Sequence, residues 1–242
     1  MSWYDELGFD ENPFGTDPDF SARSSVGLEK QLGEIGYYIS SDSMVFVEGP
    51  TGSGKSVLLR KLADKFGSKA VLVDASKGMT DLRSVVRSKT SFFDRILGRE
   101  PKNIVLMIDN AVHLPPAVLG LLKYYYDNNY FGSVILAGPA IKSAGLSESV
   151  LDRIGSRVVR LAPLAEDEAV LIVRQRLGSS SILADDLVRK IYKLSGKNAK
   201  RFLQLCESAC VAAVASNSST VKEEHLRSSY ASLKNTVGGL NG

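Results

Sequence analysis

The stretch GPTGSGKS, residues 49–56, constrains this chain more than any other. It fits the pattern G-x-x-x-x-G-K followed by Ser or Thr through Gly49, Gly54, Lys55 and Ser56. It lies between an apolar run, MVFVE at 44–48, and VLLRKLADKF at 57–66, whose apolar positions recur at helical spacing. A chain that passes from a buried strand through a glycine loop into a helix turns backbone N–H groups inward, and the helix adds the positive end of its dipole. The product is an anion cradle: Lys55 adds a mobile point charge for terminal phosphates, and Ser56 adds a hydroxyl suited to Mg²⁺.

Further apolar runs, AVLVDAS, NIVLMID, SVILAG and RVVRLAPL, alternate with helical patterns up to about residue 164. Continuous apolar strands of this kind predict a parallel sheet covered on both faces, a doubly wound α/β fold of five strands. Helices are expected at 26–39, over 80–98 (through Leu82, Val85, Val86, Phe92, Phe93 and Ile96) and after Pro115 and Pro116. Beyond residue 164 the strands stop. AEDEAVLIVRQRL, ADDLVRKIYKLSG, NAKRFLQLCESACVAAVA and TVKEEHLRSSYASL read as helices, the last with a capping-box pattern at Thr220 and Glu223. The expected division is an arm at 1–24, an α/β domain at 25–164, a helical domain at 165–235 and a tail at 236–242. The arm carries Trp3, Leu7, Phe9, Phe14 and Phe20, too many aromatic and apolar anchors for a disordered tail, so it is expected to pack against something.

Lys and Arg number 30 against 27 Asp and Glu, a near balance that neither demands nor excludes nucleic acid. Cys206 and Cys210 are too few for a disulfide framework, and no run of 18 apolar residues exists. A cytoplasmic protein without membrane insertion is expected.

With the phosphate loop in place, the later segments follow a known order. The chain has no N-K-x-D motif of guanine-binding proteins and no L-S-G-G-Q signature of transporters. Asp109 ends the third strand as a Walker B aspartate does, SVILAG follows at sensor-1 distance, LDRIGSRVVRLAPLAEDEA resembles the arginine-bearing segment before a lid, and SGKNAKRFLQL resembles a sensor-2 helix. The chain therefore resembles the AAA+ P-loop ATPases. Its opening, with the N-P-F-like arm and VGLEKQ, is similar to the branch that holds replication initiators of the origin-recognition type and small ATPases of transposition and secretion systems. The resemblance implies an α/β domain with a helical lid, binding of ATP or ADP with Mg²⁺, and oligomers with copies of itself or with other proteins; DNA and a protein partner are further expected contacts. The nucleotide would sit on Gly49, Pro50, Thr51, Gly52, Ser53, Gly54, Lys55, Ser56 and Val57, with Ser56 and Asp109 on the metal. Lys200 or Arg201 would report nucleotide state from the lid, and Arg153, in preference to Arg157, would reach a neighbour's nucleotide.

Three positions depart from that pattern. Asn110 stands where relatives carry the glutamate that activates water, and an amide orients water without taking its proton, a difference worth roughly 10²–10⁴-fold. Asp74 closes strand two, where relatives often have a polar residue such as Asn, so carboxylate and amide look exchanged. Asp74 is expected either to act as a substitute base or to position water through Asn110; Glu48 is a weaker candidate. After strand four comes AGPA, where Gly138 and Pro139 offer no side-chain donor, leaving Ser143 as the alternative. Slow or partner-stimulated hydrolysis is expected, with a non-hydrolysing ATP-bound scaffold as the alternative.

Two stretches stay open. KYYYDNNYF at 123–131 cannot place three successive tyrosines on one helical face, so one should be exposed. Arg83, Arg87, Lys89, Arg95, Arg99 and Lys102 form a basic segment that is either a solvated face or a DNA contact. Cys206 and Cys210, at helical spacing, fit core packing better than a metal site.

Overall fold

A computed structural model describes residues 2–21, 24, 26–78, 81–89, 102–228 and 230. The chain divides into two units, one of Leu28–Ala162 and one of Met1–Gly27 with Pro163–Gly242. The first is α/β. In order it contains α1 (Glu29–Ser40), β1 (Met44–Glu48), α2 (Lys55–Phe66), β2 (Ala70–Asp74), α3 (Leu82–Ser88), β3 (Ile104–Asp109), α4 (Pro116–Asp127), β4 (Phe131–Gly138), α5 (Glu148–Ile154) and β5 (Val158–Arg160).

The strands form one five-stranded sheet, all pairs parallel, in the order β2-β3-β4-β1-β5. Burial tracks that order. β3 and β4 are buried at every position, whereas β2 and β5, at the edges, are not. Period-two alternation sends side chains to two separate cores. Met44, Phe46, Leu106, Ile108, Val134 and Leu136 pack with α3, α4 and α5. Val45, Val47, Val105, Met107, Ile135 and Ala137 pack with α1 and α2 through Ile35, Ile39, Leu58, Leu59 and Leu62. The helix after β1 thus lies on one face and the helix after β4 on the other. Because β1 and β4 are adjacent, their departing chains part at the C-terminal edge, leaving the crevice where doubly wound sheets bind ligands.

The expected elements are present with shifted ends. β4 starts at Phe131, where the fully buried ring extends the strand beyond SVILAG, and β5 is limited to three residues, Val158–Arg160, paired with Phe46–Glu48 of β1. Pro115 caps α4 and Pro116 opens it. Of the helix expected over 80–98, residues 82–88 form α3. Phe92, Phe93 and Ile96, like Arg95 and Arg99, lie outside the described residues, as do 231–242.

The second unit holds α6 (Glu166–Leu177), α7 (Asp185–Leu194), α8 (Ala199–Ala215) and helical residues 223–228. Their core includes Val173, Leu177, Ile191, Tyr192, Phe202 and Cys206. Burial, with a further push from Cys210, raises the thiol pKa of Cys206 far, and burial with the Glu207 charge pushes Cys210 up to about 12, as expected of packed, inert cysteines. The N-terminal arm belongs to this same unit: Phe14 is fully buried in its core, with Trp3 stacked on it at 6.3 Å. The Arg176 guanidinium donates to the carbonyls of Pro13 (3.0 Å) and Gly15 (2.9 Å) and to Ser21 Oγ (3.0 Å), and stacks over Phe20. Burial pushes its pKa down to about 10, which leaves it charged at neutral pH.

The capping box expected at Thr220 and Glu223 is not formed. The helix starts at residue 223, so Lys222 is the capping position and its N–H donates to Nδ1 of His225 (3.0 Å), while Glu223 pairs with Lys190. Among the described residues no helix is long and apolar enough to cross a membrane.

The arm should depend on its cation. Arg176→Ala removes hydrogen bonds from a charged donor, and a loss of about 2 kcal/mol is expected in urea denaturation. Hydrogen exchange should show the amides of residues 5–15 losing protection while those of the sheet keep theirs.

Candidate nucleotide-binding site

The loop between β1 and α2 holds its shape through glycine. Gly54 has φ +95°, and Gly52 has φ +80°, both in the left-handed region. A Cβ on Gly49 would lie 2.7 Å from Ser53 Oγ and 3.2 Å from Leu161 Cβ. The loop is tied down at both ends by backbone: Gly49 N–H donates to Gly138 O at the end of β4 (3.2 Å), and Ser53 N–H to Pro50 O (3.2 Å). Gly54 caps α2 without a side chain over the first turn, so the N–H groups there remain open to a ligand.

Lys55 is only 8% exposed, and its ammonium donates to the carbonyls of Gly49 (2.6 Å) and Pro50 (2.9 Å). Burial pulls its pKa down and the Asp109 carboxylate opposes that shift. Beside it, Ser53 Oγ is buried without a hydrogen-bond partner. A buried ammonium resting on its own loop, an orphaned hydroxyl and an open helix N-terminus are all donors gathered within residues 49–56. That inventory fits a polyphosphate. Pro50 and Thr51 form the exposed crest, while Val57 packs against the core beneath α2.

Ser56 Oγ donates to Asp109 Oδ2 at 2.5 Å, and Asp109, 7% exposed, ends β3. A hydroxyl and a carboxylate oxygen are hard donors, and they fit Mg²⁺. Among the described residues no cluster of three or more His, Cys, Asp or Glu exists, so such an ion would take its remaining ligands from phosphate and water.

Beyond Asp109 the backbone turns left-handed at Asn110 (φ +54°, ψ +42°). Its Nδ2 donates to Asp74 Oδ1 at 2.9 Å, across neighbouring strands in which Asp74 and Asp109 are register partners. Asp74 Oδ1 also accepts from the N–H (3.0 Å) and hydroxyl (2.6 Å) of Ser76. Burial opposes the Asp74 charge, but the Ser76 and Asn110 hydrogen bonds outweigh it and hold the pKa below the usual aspartate value. Glu48 is already occupied: it accepts from Ile141 N–H (3.0 Å), which does most to hold its pKa down, and from Arg160 (3.1 Å). It ties the segment after β4 to β5. Ser143 spends its hydroxyl on Ala140 O (3.1 Å), and Gly138 is small because a Cβ there would lie 3.0 Å from the Phe46 ring.

Arg153, near the end of α5, grips Asp127 through Nε and Nη2, both at 2.7 Å, and donates to Ser149 O (2.6 Å). Arg157 is anchored to the carbonyls of Met44 and Arg153. Met44 begins β1, so both arginines stand at the sheet edge opposite the phosphate loop, about 13 Å away along β1 at ~3.3 Å per residue. Lys200 and Arg201 open α8 in the helical unit, where Lys200 is exposed and Arg201 lies over the Tyr230 ring at 5.9 Å. Of the successive tyrosines, Tyr124 is the exposed one, Tyr125 packs on Tyr130 and Phe131, and Tyr126 donates to Asp42 O. Arg83, Arg87 and Lys102 are exposed, and Lys89 donates to Ser68 O. Sequence reasoning named Ser53 among the loop residues but missed Ser76 and Asp127; a serine after a strand end carries no distinguishing signal by itself.

Residues 38–142 match the AAA domain family. No curated protein matches the sequence. Among solved structures, Cdc6p from Pyrobaculum aerophilum superposes with a TM-score of 0.68 at 16% identity, over 91% of this chain and 70% of that one. The Aeropyrum pernix ORC1 protein, solved in complex with DNA, gives 0.68 at 19% identity over 89% and 68%. A variant of RuvB from Thermotoga maritima gives 0.67 at 16% identity over 92% and 74%. At these identities the likeness is one of fold.

The left-handed cap can be tested directly. Gly54→Ala should cost about 1–2 kcal/mol in denaturant unfolding, because an alanine Cβ is disfavoured at that φ. Gly33→Ala, in the middle of α1 with open space around its Cα, should not destabilise.

Proposed function

We propose that this chain, a member of the AAA+ P-loop ATPases, binds ATP with Mg²⁺ and acts as a nucleotide-dependent assembly factor or motor subunit on DNA or on a protein complex, with slow or partner-stimulated hydrolysis. One observation carries the proposal: the buried Lys55 ammonium, which among the described residues donates to loop carbonyls and to no carboxylate, beside the Ser56–Asp109 oxygen pair. In this reading Gly49–Ser56 wraps the phosphates with main-chain amides, Lys55 leaves its loop carbonyls for the terminal phosphates, and Ser56 and Asp109 hold the metal. A bound ion would polarise the terminal phosphoryl group.

The position of Arg153 supports a shared site. It stands at the sheet edge away from its own phosphate loop, so any nucleotide it meets belongs to a second subunit. DNA as a partner draws support from the fold shared with an ORC1 protein solved on DNA, and from exposed Arg83, Arg87 and Lys102. A second reading, a scaffold that holds ATP without hydrolysing it, is favoured by one observation, the amide at position 110.

Calorimetry with Mg-ATP and Mg-ADP, with sizing in ATP, in ADP and without nucleotide, each with and without DNA, tests the proposal. Saturable binding is expected, lost by at least ~10²-fold in Lys55→Ala, where charge-assisted contacts to phosphate disappear. Assembly should depend on the triphosphate. Absence of saturable binding in the folded wild type overturns the proposal, and retained ATP without turnover selects the scaffold. Arg153→Ala should leave nucleotide affinity unchanged and lower turnover of the assembled form by ~10³-fold or more if that arginine completes a neighbour's site.

A further inference from the structure

Asn110 is a side chain with a fixed polarity. Asp74, held ionised, can only accept hydrogen bonds, so the amide group facing it must be the NH₂. That NH₂ donates to Asp74 Oδ1 at 2.9 Å. The carboxylate is itself locked by the Ser76 N–H and hydroxyl at 3.0 and 2.6 Å. The left-handed backbone at Asn110, a conformation asparagine tolerates better than most residues, sets the direction from which its side chain leaves. Among the described residues no hydrogen bond is made to Asn110 Oδ1. With one N–H spent on Asp74, the acceptor that Asn110 can offer a ligand is its carbonyl oxygen, beside the aspartate that pairs with Ser56.

We infer that Asp74 is a positioning residue for hydrolysis: by holding the NH₂ of Asn110 it turns the amide carbonyl into the acceptor that orients the attacking water. This inference rests on the ATPase reading of the same site. In the reaction the water oxygen bonds to the γ-phosphorus as the bond to the bridging oxygen breaks. That electron pair leaves with ADP, and both water hydrogens depart on phosphate, so ATP⁴⁻ and H₂O give ADP³⁻ and H₂PO₄⁻. Asn110 takes no proton in this scheme, and the cost of that is a slow step. Freed from Asp74, the amide could rotate and present a donor to the water, and the orientation would be lost.

The experiment measures Mg-ATP affinity by calorimetry and turnover at saturating ATP for the wild type, Asp74→Ala, Asp74→Asn, Asn110→Asp and the exchanged double variant Asp74→Asn with Asn110→Asp. The single changes at Asp74 should lower kcat about 10-fold or more while affinity stays within about twofold of wild type, a split that damage to the fold would not give. Asn110→Asp alone sets two carboxylates against each other. The exchanged pair restores the hydrogen bond with its polarity reversed and places a carboxylate, able to take a proton, at position 110. Its turnover should exceed both the Asn110→Asp variant and the wild type by ~10-fold or more. This holds even if wild-type turnover lies below detection. Unchanged kcat in Asp74→Ala, or an exchanged pair no faster than Asn110→Asp, overturns the inference while leaving nucleotide binding intact. Loss of Mg-ATP binding by the wild type would instead overturn the function proposed above.

Discussion

The burial of one ammonium group organises the α/β unit. Lys55 must be close to the loop and nearly out of water, yet a cation there is costly unless something electronegative surrounds it. Among the described residues no carboxylate hydrogen-bonds to it; two main-chain carbonyls of the loop do. They can be released at small cost, since each carbonyl can turn to solvent or to a ligand's cation. A carboxylate in their place would bind the lysine permanently and repel phosphate. The glycines follow from this demand, because only a chain that can bend left-handed at Gly52 and Gly54 brings the carbonyls of 49 and 50 over the lysine that opens the next helix.

The same demand explains why the sheet is wound as it is. The loop needs an edge where two adjacent strands send their chains to opposite faces, and β1 with β4 provides it. β4 also contributes the carbonyl of Gly138 to the first loop residue. Phe46 fills the space a Cβ at 138 would need, so the packing of β1 against β4 determines what the end of β4 can carry.

Most of the sheet was legible because buried strands write continuous apolar runs, and the loop was legible because its glycines and lysine have fixed spacing. The order β2-β3-β4-β1-β5 was not, since nothing in an apolar run states its neighbour. The Asp74–Asn110 proximity was readable as an exchange of residue types; its hydrogen bond was not, for it needs β2 and β3 in register. Helix ends were the least readable. Thr220 and Glu223 carry the letters of a capping box, yet His225 takes the capping N–H because the helix starts two turn residues later. The pairing of Arg153 with Asp127, 26 residues away, left no trace in either segment.

That pairing bears on how a site shared between subunits could be kept in check. Arg153 and Asp127 are bidentate but partly solvated, with side chains 25% and 39% exposed. Arginine hydrogen bonding pulls the Asp127 carboxyl below its ordinary pKa, with burial working the other way, and Asp127 holds the guanidinium charged. An ion pair this exposed contributes only about 1 kcal/mol, because water screens it and two long side chains must be ordered. A triphosphate of a second subunit carries more charge than one carboxylate, and in a dry interface each contact with it is worth more. In the proposed function Asp127 would therefore hold Arg153 in place in the lone subunit and yield it on assembly, so that the arginine's orientation is set before a neighbour arrives.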